Sequence, residues 1–502
     1  MWATAEGDGL VWRIDPGPDP ITRTIDVGVG VTFLAYGDGA IWAANYSDGT
    51  VSRIDVETSE VESSPVGAVQ SLAAGEGSAW VSTAGATSAD GMPESCGEVL
   101  AGSATPDVLI ASDLPLRGPL GAGPGATSDA IKQALEEHDY RAGKYAVGYR
   151  SCDDSNEQSG GFDRRTCAAN ANAYAQAEQL VAVVGTYNSP CAQIEIPILN
   201  RAPGGSLAMI SPSNTYPGLT RPGLPAPWGY RGEPGVFYPT GSRNYVRIPP
   251  LDDQHGAADA ILAKQLGLRS VYVLYDGSVF WKGLLADPFR YAAPRLGVRV
   301  AGASTFDVDA KGYGRLMDEI ERSGAEGILL GGDPYAGADR VLSALRARFG
   351  SRLPIIAGFF FLPIPDVLEA TNGDARGLYL ATGDVPRAQL ELTPAGRRFM
   401  DSFGADVGGG AILEAAQATE LLLMAIARSD GTRESVLENL RASRVKDGIL
   451  GDFRFDRNGD LTPASIPVVH ITGSTPPSAR LPEQLQGGVI DRVVEIPRNL
   501  IR

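Results

Sequence analysis

From residue 107 onward, short apolar runs alternate with longer stretches whose apolar positions recur at helical spacing. The short runs fall at 108–111, 145–149, 180–184, 207–210, 271–275, 298–303, 327–330, 354–357 and 377–381, and their length and bounding turn residues predict strands. Helices are predicted between them over 126–138, 167–179, 192–201, 256–266, 313–323 and 335–349, then over 393–403, 411–429 and 433–442. Such alternation predicts parallel sheets with right-handed crossovers, an α/β fold. Residues 453–460 followed by 466–471 read as a hairpin turning at Asn458-Gly459. A stretch rich in Pro, Gly and aromatic residues, 217–250, divides the strands and favours two lobes over one large sheet.

The first 85 residues follow a different pattern. Asp8-Gly9-Leu10-Val11-Trp12-Arg13-Ile14-Asp15 returns as Asp48-Gly49-Thr50-Val51-Ser52-Arg53-Ile54-Asp55, and Gly37-Asp38-Gly39-Ala40-Ile41-Trp42 returns as Gly75-Glu76-Gly77-Ser78-Ala79-Trp80. Short alternating strands between Asp-Gly turns, at a period of about 40 residues, are the mark of propeller blades. The pattern is similar to YVTN/NHL-like repeats over about two blades, whereas a closed propeller needs at least about four. Residues 1–85 are therefore expected to form a partial β-propeller with further blades upstream. Residues 86–106, small and polar, read as a linker.

At 502 residues, two or three domains are expected. The formal net charge of −17 disfavours nucleic acid and anionic membrane surfaces as partners. No apolar run reaches the roughly 18 residues of a membrane helix, so no direct membrane insertion is expected. The four cysteines, Cys96, Cys152, Cys167 and Cys191, contain no Cys-x-x-Cys pair, and the three histidines are dispersed. Two disulfides in an oxidising compartment are expected, and no zinc site. Neither a nucleophile elbow, a His-Glu-x-x-His helix nor a Walker loop occurs, so no enzyme activity and no cofactor are expected. Asp456-Arg457-Asn458-Gly459-Asp460 has the look of a calcium loop, but Leu461 stands where a Gly is needed and Pro467 at the twelfth position.

Four segments carry a family resemblance. Residues 109–119 resemble the opening strand and loop of type I periplasmic binding proteins, 183–189 their third strand and ligand loop, 208–215 the next strand and its polar loop, and 450–456 a late strand near the third hinge crossing. The resemblance spans about residues 107–475 and is strongest to the leucine/isoleucine/valine-binding branch, which serves ABC transporters. It implies two doubly wound parallel-sheet lobes joined by a three-segment hinge, with crossings near 248–251, 381–385 and 448–451. Lobe 1 is then 107–247 with 384–449, lobe 2 is 248–383 with 450–475, and 476–502 is a C-terminal extension. It further implies Cys152 pairing with Cys191 and Cys96 with Cys167, with Cys152–Cys167 as the sequential alternative.

The implied ligand residues follow. Asn188-Ser189-Pro190 opens a helix whose N-terminus suits a carboxylate, with Ser189 at the matching position and Tyr187 beside it. Ser211, Ser213 and Thr215 lie on the loop after a strand, at the end where open α/β sheets bind ligands. From the other lobe, Phe280 matches an aromatic that covers the ligand, and Asp333 is a candidate for a ligand cation; each Ser, Asn or Asp here also reads as a turn or helix cap. Amino-acid binders place an acid after the strand ending near Ala357, yet here stand Gly358-Phe359-Phe360-Phe361, so Phe360 is expected at an apolar or aromatic ligand unless these rings are core. The expected function is extracellular capture of a small molecule, an amino acid or related carboxylate, with an ABC permease as partner. The alternative is a sensing module of a larger propeller-containing protein.

Overall fold

The computed structural model describes the chain except residues 6–8, 16–20, 29, 47–48, 67–68, 84–90, 119–120, 157–160, 223–228, 383–392, 405–410, 475–484 and 502. Two separate parallel sheets hold the α/β part. The first is built from β1 (Val108–Leu114), β2 (Tyr145–Asp153), β3 (Leu180–Gly185), β4 (Ala208–Ser211) and β5 (Tyr245–Arg247), in the order β2-β1-β3-β4-β5. The second holds β6 (Ser270–Tyr275), β7 (Arg299–Thr305), β8 (Gly327–Gly331), β9 (Ile355–Ala357) and β10 (Leu378–Ala381) in the equivalent order, β7-β6-β8-β9-β10. Beyond β10 it continues with two antiparallel strands, β11 (Ser465–Ile471) and β12 (Gly488–Glu495). Strands β1, β3, β4 and β8 are buried at every position, which is why they read as continuous apolar runs rather than alternating ones.

Helices cover both faces of each sheet. On the first, α1 (Ala122–Glu137) and the late helices Ile412–Arg428 and Arg433–Arg441 enclose one core with Ile110, Val147 and Val184. On its other face, α2 (Arg164–Gln176) and α3 (Ser189–Asn200) enclose a second with Leu109, Ala111 and Val183. The second lobe is arranged alike, with α4 (Asp252–Gln265) on one face and Gly314–Ser323 and Ala338–Phe349 on the other.

The chain passes from lobe 1 to lobe 2 between β5 and α4, through residues 248–251. It returns between β10 and the helix Pro394–Phe403; most of the expected crossing at 381–385 lies outside the described residues. The third crossing is not at 448–451. Gly451–Phe455 forms a small antiparallel sheet with Arg444–Gly448 and Leu461–Thr462, and Phe453 and Phe455 lie in the lobe 1 core. The Asn458-Gly459 turn does join a hairpin, but its second strand is Leu461–Thr462; residues 465–471 pair instead with β10. The crossing therefore falls at 463–464, because the Phe side chains of the hairpin have their buried face in lobe 1. The 476–502 extension, where described, supplies the edge strand β12 of lobe 2.

The disulfide pairing also differs from the expectation. Cys96 bonds Cys152, and Cys167 bonds Cys191. Residues 96–100 run antiparallel along β2, with Gly97 N–H to Ser151 O at 2.8 Å and Leu100 N–H to Tyr149 O at 2.9 Å, which sets Cys96 opposite Cys152. Cys167 and Cys191 face each other across the packed helices α2 and α3. Residues 91–106 are thus tied to lobe 1 rather than forming a free linker.

The N-terminal residues form antiparallel meanders of three strands (Trp2–Ala5, Leu10–Ile14, Ile21–Asp26), four strands (Val31–Gly37, Ala40–Asn45, Thr50–Asp55, Val61–Pro65) and two strands (Val69–Gly75, Ser78–Thr83). The repeated hairpin turns adjoin each other. A Cβ on Gly37 would meet the Ala74 carbonyl carbon at 2.8 Å, and the Gly77 amide donates to the Asp38 carboxylate.

Candidate functional site

In lobe 1, β1 and β3 are hydrogen-bonded neighbours, and the chain leaves them to cover opposite faces of the sheet; the crevice beyond their C-terminal ends is where such sheets bind ligands. Gly185 lets the two strand ends close up, since a Cβ there would lie 2.8 Å from Asp113 O. Asn188 then stands at the N-cap of α3, with Pro190 in the first turn. The terminus is less open than its sequence suggests: Pro190 has no N–H, and the Cys191 amide donates to Asn188 O at 3.0 Å. What remains at the tip is the Ser189 hydroxyl, which accepts from Tyr216 N–H at 3.3 Å, and a buried, unbonded Asn188 Oδ1.

The loop after β4 is clamped to this one. The Ser211 hydroxyl donates to Thr186 O at 2.9 Å and accepts the amides of Asn214 and Ser213 at 2.8 and 3.1 Å. Asn214, fully buried, donates to Thr186 O at 2.9 Å and Tyr187 O at 3.1 Å, while its Oδ1 accepts from the Tyr245 hydroxyl at 2.9 Å. Ser211 is thus a positioning residue, fully buried, whereas Ser213 and Thr215 are half-buried at the loop surface. Tyr187 is half-buried with its ring against the lobe 1 core.

In lobe 2 the corresponding ends carry aromatic rings. Phe280 and Phe360, 39% and 38% exposed, lie 5.5 Å apart with their planes tilted by 30°. Both rest edge-on against the buried indole of Trp281, at 5.3 and 5.0 Å. Gly358 makes room for that indole, since a Cβ there would stand 2.2 Å from Cζ3. The three consecutive Phe residues have three fates: Phe361 is buried in the core, Phe359 packs partly against α4, and Phe360 faces out. Asp333 caps a short turn, its Oδ1 accepting the Tyr335 amide at 2.8 Å.

Polar groups that the sequence reading missed lie along α4. Its first residue, Asp252, sits beside Thr215: the Asp252 amide donates to Thr215 O at 2.9 Å, and the Thr215 side chain hydrogen-bonds the carboxylate. One turn on, His255 is 3% exposed and packs 5.5 Å from the Phe359 ring; a further turn on, Asp259 is 1% exposed. Asp252 Oδ1, His255 Nδ1 and Asp259 Oδ1 are all cut off from solvent and unbonded. Burial raises the Asp252 carboxyl to about 6, raises that of Asp259 well above the usual range, and lowers His255 to about 4. Asp252-Asp253 after Pro249-Pro250 was the available signal for an earlier helix start.

Beneath the lobe 1 loops lies a second buried polar set. Asp113 accepts from Asn170 at 3.0 Å and hydrogen-bonds Glu195, while Asp154 Oδ2 and Glu195 Oε1 lie 3.4 and 3.3 Å from Cys191 Sγ. Asp154, Cys167 and Cys191 converge within 4.8 Å, but both sulfurs are spent in the disulfide.

Paired doubly wound lobes with three crossings, and loop ends of polar character on one lobe and aromatic on the other, define a type I periplasmic binding protein fold. Residues 108–475 match the Periplasmic binding protein family, and the chain belongs to it. An amino acid binding protein of Pseudomonas aeruginosa is 26% identical over 309 residues, covering 59% of this chain and 73% of that protein. Among solved structures, a branched-chain amino acid transporter substrate binding protein of Streptococcus pneumoniae, in complex with isoleucine, superposes with a TM-score of 0.55 at 17% identity, over 78% of this chain and 99% of that one. A solute binding protein of an ABC transporter from Rhodopseudomonas palustris, in complex with p-hydroxybenzoic acid, gives 0.59 at 14% identity, over 78% and 98%. The family is one of solute binding, normally without enzymatic activity, and its members are typically periplasmic or extracellular. Among the described residues no helix is long and apolar enough to cross a membrane.

Proposed function

We propose that this chain works outside the cytoplasm, closing its two lobes around a small molecule, an amino acid or a related aromatic or aliphatic carboxylate, for delivery to an ABC permease. The observation that carries this reading is the exposed Phe280–Phe360 pair at the strand ends of lobe 2. Large rings left half in water at the ends of parallel strands are an unfinished interface, and a flat apolar solute would complete it. The carboxylate end goes to Ser189 and the start of α3, with Ser213 and Thr215 beside it. Amino-acid binding by the Pseudomonas relative and p-hydroxybenzoic acid in the Rhodopseudomonas structure support these ligand classes.

A second reading, the ligand-sensing module of a larger protein, is favoured by the N-terminal sheets, here taken as blades of a partial propeller. Phe33 and Tyr46 from those sheets pack into the lobe 1 core, an attachment with no evident use in a freely diffusing carrier. A thermal-shift panel of amino acids, small amides and aromatic acids tests the binding claim shared by both readings. A ligand at a hundred times its dissociation constant should raise the midpoint by about 2–4 °C for a chain of this size. A panel without any shift would sink it. Permease and ATPase genes beside this one would favour uptake over sensing.

A further inference from the structure

Lobe 2 has no carboxylate at the tip of β9, where Gly358-Phe359-Phe360-Phe361 stands, and Asp333 is engaged in its own turn. A solute with a protonated amine would bury that charge at high cost without another acceptor. The first turns of α4 offer one. Asp252, His255 and Asp259 recur at i, i+3 and i+7, hence along one stripe of the helix, and each presents a buried polar atom with no partner. Buried polar atoms without a partner call for one, and a solute group, an ion or water can supply it. Nearby cations are already engaged: Arg247 with Asp460 at 2.9 Å, and Arg221 with Asp253 at 2.6 Å. The stripe starts beside Thr215 of lobe 1, and its His255 packs 5.5 Å from the Phe359 ring, which in turn touches Phe360, so it adjoins both the polar loop of lobe 1 and the aromatic group of lobe 2.

We propose that Asp252, with His255 Nδ1 as second acceptor, forms the cation subsite of the cleft, and that the solute is a primary amine bearing an aromatic or other flat apolar group. This rests on the solute-binding reading and narrows it, since a carboxylate without an amine leaves the subsite unmatched. The net charge of −17 acts in the same direction, raising the local concentration of cations around the whole chain. Asp at the first position of a helix also favours the helix dipole. The test must therefore separate a ligand contact from a helix cap.

Calorimetric titration with L-phenylalanine, 2-phenylethylamine and 3-phenylpropionate does so, because the three share a ring and differ in amine and carboxylate. Wild-type protein should bind the two amines more tightly than 3-phenylpropionate, a comparison that needs no variant. Asp252→Asn should weaken both amines by about tenfold to a hundredfold and leave 3-phenylpropionate unchanged, a selectivity that loss of a helix cap alone would not produce. His255→Gln should weaken the amines in the same selective way. Binding of 3-phenylpropionate as tight as that of L-phenylalanine, or amine binding indifferent to Asp252→Asn, overturns the cation subsite while leaving solute binding intact. Silence from all three probes counts against the subsite and the solute-binding reading together.

Discussion

Single residues here are governed by burial more than by type. Asp113, Asp154 and Glu195 are fully buried, and desolvation raises all three carboxyl pKa values, to about 6 for Asp113 and well above the usual range for the others. A raised carboxyl means the folded chain keeps a proton that the unfolded chain releases. Their stabilising contribution is complete below about pH 4 and is lost as pH climbs through about 6 for Asp113 and higher for its neighbours. His255 works in the opposite sense: held neutral, it costs stability as pH falls from 6.5 toward about 4. Urea unfolding at pH 5.5 and pH 8 should therefore show the weaker fold at pH 8. Glu195→Gln, permanently neutral, should gain stability over wild type more at pH 8 than at pH 5.5 and so narrow the pH difference; an equal pH difference in variant and wild type would refute the assignment. None of this was legible beforehand, because sequence reports that Asp113 ends an apolar strand but not that α2 and α3 seal it. Likewise Phe359, Phe360 and Phe361 are identical letters; only the turn after β9 decides which ring meets solvent.

Elements were easier to foresee than their company. The continuous apolar runs placed β3 and β8 within one residue, since a strand buried on both faces leaves little else to put there, while β1 runs three residues past its expected end through Ser112, Asp113 and Leu114. The destination of a segment was harder, as residues 451–471 show: one half serves lobe 1 and the other lobe 2, and nothing local marks the change. What holds the first half is long-range. Arg247 at the end of β5, fully buried, donates to Asp460 Oδ1 at 2.9 Å and to Tyr216 O at 2.6 Å, while the Thr220 hydroxyl donates to the same Asp460 oxygen at 2.8 Å. Asp456 Oδ1 accepts the Asn458 amide at 2.8 Å, so the calcium-like sequence is a hairpin turn whose last acid faces an arginine. Arg247→Met would strand a buried carboxylate and should cost about 3–5 kcal/mol in chemical unfolding. Replacing both partners, Arg247→Met with Asp460→Leu, should cost clearly less than that single change. A single variant within 1 kcal/mol of wild type, taken as roughly the value of an exposed pair, would show that the pair is not the lock described here.

At the scale of the molecule, the question is which parts move together when the cleft closes. Tyr46 is buried in the same cluster as Met92 of the intervening segment and Tyr174 and Ile198 of lobe 1, Phe33 packs against that cluster, and the Arg165 guanidinium covers the Phe33 ring at 5.3 Å. The Cys96–Cys152 bond fastens the intervening segment to β2 of the same lobe. The N-terminal unit therefore belongs to the lobe 1 body, and closure should be a movement of lobe 2 about the crossings at 248–251, between β10 and residue 394, and at 463–464. Hydrogen exchange with and without a ligand found in the panel tests this division. Added protection should appear at 186–189 and 213–216 in lobe 1 and at 279–282 and 358–361 in lobe 2, where loops change from wet to covered. Amides of 31–46 should exchange alike in both states, because an interface inside a rigid body gains nothing from closure. Slowed exchange at 31–46 on ligand addition would mean that the N-terminal sheets take part in the response, and the chain would then transmit ligand binding to its N-terminal unit rather than only hold the ligand.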